Sequence, residues 1–198
     1  MTRTRLAVLV GVVLAVSGLL LAAGSLQAAK TPTDTLNPGI PTKPAGPAIT
    51  QPIAYSHELH AGKLGIDCAY CHTNVDKSAI ANIPNVETCM NCHKYVKRAT
   101  GQTADSPEIA KLAQYYDEGR GKPIPWINVH QLPDHVNFNH KRHVRAGVAC
   151  QTCHGNVQTM KVVYPVVKLN MGFCITCHKA NREHAGTPAS LDCVTCHK

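Results

Sequence analysis

The 198-residue sequence predicts a mostly irregular fold of short α-helices and long loops, with little β-sheet, behind one N-terminal transmembrane helix. Three observations carry that expectation. All ten cysteines fall into five C-x-x-C pairs, each followed at once by a histidine. Residues 6–24 form an uncharged apolar run. Residues 31–52 hold six prolines and almost no apolar periodicity.

In chain order, the apolar run comes first. As a helix it crosses roughly 28 of the bilayer's about 30 Å, and Arg3 and Arg5 before it keep the N-terminus cytoplasmic. Ala22, Ala23, Gly24 and Ser25 also offer small residues for a signal-peptidase cut. The run is longer than a usual signal core, which favours a retained anchor over residues 1–30. Both readings deliver the rest of the chain to the outer, periplasmic side of the cytoplasmic membrane. The proline-rich residues 31–52 then read as an extended tether.

The five cysteine units are Cys68, Cys71 and His72; Cys89, Cys92 and His93; Cys150, Cys153 and His154; Cys174, Cys177 and His178; and Cys193, Cys196 and His197. A shuffled chain of this composition would contain on the order of 0.03 such units. An even cysteine count in an exported chain would also suit a disulfide framework, but the spacing is that of haem c attachment, with no cysteine left over. In that chemistry the two sulfurs bond to the porphyrin edge and the adjacent histidine is the proximal iron ligand. Structural zinc needs four ligands from two half-sites, and five identical halves pair badly.

Five covalent haem c groups change two bulk properties. The formal charge of +8 falls to about +3 once propionates and iron are counted, so the basic residues are expected to offset propionates rather than bind nucleic acid. About 35 residues per haem cannot build an aliphatic core, so the porphyrins become the buried apolar surface.

Residues 53–198 form the haem domain, and it contains a duplication. Tyr55, Ser56, His57, Glu58, Leu59 and His60 before Cys68 correspond to Phe138, Asn139, His140, Lys141, Arg142 and His143 before Cys150. A second unit follows each, at Cys89 and Cys174. The domain therefore divides into a dihaem module at 53–98, an insert at 99–135, a second module at 136–180 and a fifth haem unit at 181–198. Within the insert, Ser106, Pro107 and Glu108 start a helix with Ile109, Leu112 and Tyr116 on one face, stopped at Gly119. Pro123 and Pro125 then impose an extended path into Trp126 and His130.

A low-spin electron carrier needs a second axial ligand on each iron. Seven histidines lie outside the motifs. The H-x-x-H pairs are the leading candidates, because one helical turn sends both imidazoles to adjacent haems: His57 and His140 toward the nearest downstream haem, His60 and His143 toward others. His130, held by the preceding prolines, is the expected fifth ligand, and His184 its rival. His135 reads as a surface or propionate-binding residue. Met160 or Met171 could replace one histidine and raise that haem's potential, or could simply pack.

Residues 55–72, 83–93, 123–134 (PIPWINVHQLPD) and 138–160 (ending CHGNVQTM) together resemble the pentahaem subunit of alternative complex III, and more distantly the class III multihaem cytochromes. The resemblance covers most of residues 53–198. It implies a non-catalytic redox subunit of a respiratory or photosynthetic quinol-oxidising complex. The implied partners are an iron-sulfur subunit, integral membrane quinol-binding subunits and a monohaem cytochrome. The implied acceptor is a small cytochrome, a copper protein or an oxidase.

Other function classes remain alongside. A multihaem reductase needs an exchangeable iron position, whereas the histidines here suffice to close every iron. A stand-alone membrane quinol dehydrogenase is disfavoured by about 40 residues between anchor and Cys68, and a periplasmic shuttle would require loss of the anchor.

Overall fold

The first N–H groups of a helix have no partner inside it, so a very short helix depends on the residue that precedes it. In the computed structural model, which describes residues 40–117, 123–183 and 188–198, Asp67 accepts from the Ala69 amide at the start of α1 (Cys68–Cys71). Asn85 accepts from the Thr88 amide at the start of α2 (Val86–His93). The insert supplies α3 (Pro107–Asp117). Asn139 caps α4 (His140–Arg145) through the Arg142 amide, and α5 (Gln151–His154) follows. Asn170 caps α6 (Met171–Ala180) through the Phe173 amide, and α7 (Cys193–Cys196) lies near the end of the chain.

Among the described residues there is no strand, and one isolated antiparallel bridge joins Val136 to His197. No described helix is long and apolar enough to cross a membrane. The predicted anchor over residues 1–30, residues 31–39 of the tether, the expected helix stop at Gly119 and His184 lie outside the described residues.

The two copies of the repeat differ in helix type and agree in detail. Residues Glu58–Lys63 form a π-helical turn, where the equivalent α4 is α-helical. Even so, Ser56 Oγ accepts from the Leu59 amide at 3.2 Å, as Asn139 Oδ1 does from Arg142 at 3.4 Å. Tyr55 stacks on His60 with centroids 4.4 Å apart, and Phe138 on His143 at 4.5 Å. The same aromatic rings meet His57 and His140 edge-on, at 4.9 and 4.8 Å. Asn85 and Asn170 sit four residues before Cys89 and Cys174.

The copies also meet each other reciprocally. The Glu58 amide donates to the Met160 carbonyl at 2.9 Å, and the Lys141 amide to the Ser78 carbonyl at 3.0 Å. Glu58 and Lys141 are equivalent positions, as are Ser78 and Met160, each ten residues after the first cysteine of its unit. One module's first helix lies on the loop after the other module's first unit, and the reverse, which is the contact pattern of a local two-fold.

The aliphatic core is small. Ile53, Val86, Met90, Leu112 and Ile124 form a buried cluster edged by Cys89, Tyr115, Tyr116 and Trp126. It joins α2 to α3, the insert helix whose Leu112 face the spacing predicted. The insert is sewn to the head of the first module: Glu108 accepts from the Ala54 amide, and Gln51 exchanges two hydrogen bonds with the backbone of Ile127. Large apolar side chains elsewhere stay exposed, among them Leu64, Tyr70, Ile80 and Val194, as expected of a chain with too few residues to bury them on one another.

Gly62 shows how tightly the two modules fit. A Cβ there would stand 2.2 Å from the carbonyl oxygen of Gln158, in the 3-10 turn Val157–Thr159. Gly62→Ala is expected to push that turn away and lower stability by about 1–3 kcal/mol, the usual cost of overpacking. Thermal unfolding followed by circular dichroism checks this; an unchanged midpoint would show that the turn yields freely.

Candidate haem-binding sites

Two cysteines three apart on one helical turn present both sulfurs on one face. α1 and α7 each consist of a single C-x-x-C, and the pairs Cys89/Cys92 and Cys174/Cys177 lie within α2 and α6. Cys150 precedes α5, which contains Cys153 and His154. None of the ten sulfurs is in a disulfide. Among the described residues no group of three or more His, Cys, Asp or Glu side chains converges as a site for a bare metal ion.

Three of the five motif histidines are oriented by the backbone. Nδ1 of His72 donates to the Asn82 carbonyl at 2.7 Å, that of His93 to Val96 at 2.8 Å and that of His178 to Ser190 at 2.6 Å. Such a bond fixes the tautomer and leaves Nε2 as the lone-pair donor. Three of the four histidines of the H-x-x-H pairs are held alike, while His57 Nδ1 is buried without a partner. His60 Nδ1 donates to the Ser56 carbonyl at 2.9 Å and His143 Nδ1 to Asn139 at 2.8 Å, while His140 Nδ1 crosses to Ala79 at 2.8 Å.

The distances between rings test whether these residues fit haem iron. An imidazole nitrogen lies about 2 Å from a bound transition metal and about 1.1 Å from its own ring centre, so two rings on opposite sides of one iron have centroids roughly 6.3 Å apart. His60 and His93 are 6.0 Å apart, His143 and His178 6.1 Å, and His140 and His154 6.4 Å with planes only 10° from parallel. His135 and His197 are 5.6 Å apart and nearly parallel at 18°. The donor set therefore fits bis-histidine haem. His57 borders His72, whose imidazole follows burial among the causes that hold His57 down at about 4.

His130 sits differently. Its ring meets His154 edge-on at 4.5 Å, too close for an iron between them, and its Nε2 is buried without a partner. Burial, followed by the neighbouring imidazoles of His130, His140 and His72, lowers His154 to about 4. Burial also lowers His130 and His143. Neutral rings of this kind keep the lone pair that a metal needs.

Met160 is 5% exposed, and its carbonyl holds the Glu58 amide. Met171 opens α6 and is 65% exposed.

Neighbouring thiols place the five units in order. Burial raises Cys71, with Cys68 and Cys92 adding to it, and raises Cys89 with Cys71 adding. Burial raises Cys150 too, and Cys68 contributes both charge and a hydrogen bond. Cys153 is pushed up to about 11 by burial, then by Cys177 and Cys174. Cys174 is raised by burial and next by Cys196. In space the units thus run from Cys89 to Cys68, Cys150, Cys174 and Cys193.

Residues 136–198 match the family model for cytochrome c7 and related cytochrome c. Over these residues the chain is similar to multihaem cytochromes c. The matched cytochrome segment contains the Cys150, Cys174 and Cys193 units, and its H-x-x-H and first unit repeat the geometry of residues 55–72. The chain is also 29% identical over 169 residues to the multiheme cytochrome c subunit of menaquinone reductase from Nitratidesulfovibrio vulgaris, covering 75% of this chain and 77% of that protein.

Sequence reasoning gave no role to Tyr55 and Phe138. The signal was present: each aromatic stands two residues before the first histidine of its pair.

Proposed function

We propose that the chain is the pentahaem electron-relay subunit of a membrane quinone-linked complex, anchored by residues 1–30 with its haem domain on the periplasmic side. The observation that carries the reading is the unbroken spatial series of five cysteine units, with paired imidazoles at iron-spanning distances along it. Haem c supplies a one-electron ferric/ferrous couple. The chain's own residues attach it through paired cysteines, hold proximal rings by backbone carbonyls, and close the second axial position. His57, His60, His140 and His143 are assigned to the irons of His72, His93, His154 and His178. His57 takes His72 because His140 takes His154 in the equivalent module. Closed irons pass electrons and leave no position for substrate, which supports relay over reductase chemistry.

A quinol that becomes quinone releases two protons and two electrons, which leave one at a time through such a series. In the alternative complex III-like direction the integral and iron-sulfur subunits collect them, and this chain passes them to a monohaem cytochrome, copper protein or oxidase. The name of the Nitratidesulfovibrio vulgaris relative favours a second reading, in which electrons travel the same series toward menaquinone. Purification from membranes tests both. The chain is expected to co-purify with integral and iron-sulfur subunits, and the intact complex to reduce its haems with menaquinol. Haem reduction by menaquinol in the isolated chain would overturn the subunit reading. Quinone reduction by the complex from a reduced periplasmic cytochrome, without the forward reaction, would establish the second direction.

A further inference from the structure

The imidazole of His135 faces that of His197, and regular backbone pairing does not account for it. Val136 bridges His197, the Asn137 amide donates to the Cys196 carbonyl at 2.6 Å, and the Lys198 amide reaches the His135 carbonyl at 3.3 Å. In a regular antiparallel ladder successive side chains alternate faces, so the residue before Val136 would point away from His197. Here residues 133–136 form a turn closed by the Val136 amide on the Pro133 carbonyl at 2.9 Å. His135 occupies its third position, and its ring lies nearly parallel to His197, 5.6 Å away.

That separation is roughly 0.7 Å short of the span across one iron, a gap that side-chain rotation closes. The other three spaced pairs each join a motif histidine to one from an H-x-x-H, and His135 with His197 completes the same pattern at the last unit. His130, by contrast, meets His154 edge-on at 4.5 Å, too close for an iron between the two rings.

We propose that His135 is the second axial ligand of the iron held by the Cys193, Cys196 and His197 unit. The assignment rests on the haem reading of that unit. It makes the insert's last residue a ligand donor to the chain's last unit. Residues 133–137 therefore pin the C-terminal segment twice, by backbone and by iron.

The test uses the full chain carrying its haems, with His135→Ala, His135→Met and His184→Ala variants. Mass spectrometry first counts haems; fewer than five on the unaltered chain defeats the haem reading itself. With five present, His135→Ala is expected to convert about one iron in five from low to high spin in the ferric EPR spectrum, and added imidazole to restore it. His135→Met should keep that iron low-spin and raise one potential in a redox titration. An all-low-spin His135→Ala, or the same imidazole-reversible conversion in His184→Ala alone, overturns the assignment.

Discussion

Removing the Cys150 unit, by Cys150→Ala with Cys153→Ala, is expected to divide the relay in two. In sequence this unit is simply the third of five. In space it stands between Cys68, whose thiol it meets, and the Cys174/Cys177 pair beside Cys153. The Cys89 and Cys68 units then lie on one side of the break, and the Cys174 and Cys193 units on the other. Electron transfer between the two sides should fall by orders of magnitude, because the thiols of this unit face both sides. Removing the Cys193 unit instead should leave exchange among the remaining four intact. Rapid-mixing reduction of the assembled complex, with haem content checked by mass spectrometry, distinguishes the two variants. Equal losses would mean that the units are not strung in this order.

The second large effect concerns the iron of His154, which two further imidazoles approach. His140 lies at the iron-spanning distance and parallel to it, with Nδ1 tied to Ala79; His130 lies edge-on at 4.5 Å. His140→Ala is therefore expected to open one iron to the high-spin state and make it bind added imidazole. His130→Ala should leave the iron of His154 low-spin and only loosen packing against that ring. EPR of the two variants decides the matter. A high-spin iron in His130→Ala, with none in His140→Ala, would reverse the roles.

Much of the site was legible as spacing. Five C-x-x-C-H units point to haem c because covalent attachment is a local matter: two thiols and an imidazole within five residues need no distant partner. The helix Pro107–Asp117 was legible too, from its proline start and the Leu112 face. The duplication could be read from residues 55–60 against 138–143, since copies keep their sequence pattern.

The second ligands were less legible. A histidine that closes an iron from across the molecule needs no particular sequence neighbour; nothing beside His135 in sequence announces the 5.6 Å approach to His197 that the fold creates. His130, placed by its prolines, was the expected fifth ligand; in the fold its ring meets His154 edge-on at 4.5 Å, with Nε2 buried and unpartnered.

What the sequence determined alone is therefore the chemistry: which atoms can hold haem, how many units there are, and that the chain is too short per unit for an aliphatic core. What tertiary structure decided is adjacency. The reciprocal bonds from Glu58 to Met160 and from Lys141 to Ser78 bring the Cys68 and Cys150 units together at the centre. The physical reason is range: attachment depends on immediate neighbours along the chain, whereas ligand pairing and the order of units depend on contacts between segments tens of residues apart, which only the packed fold creates.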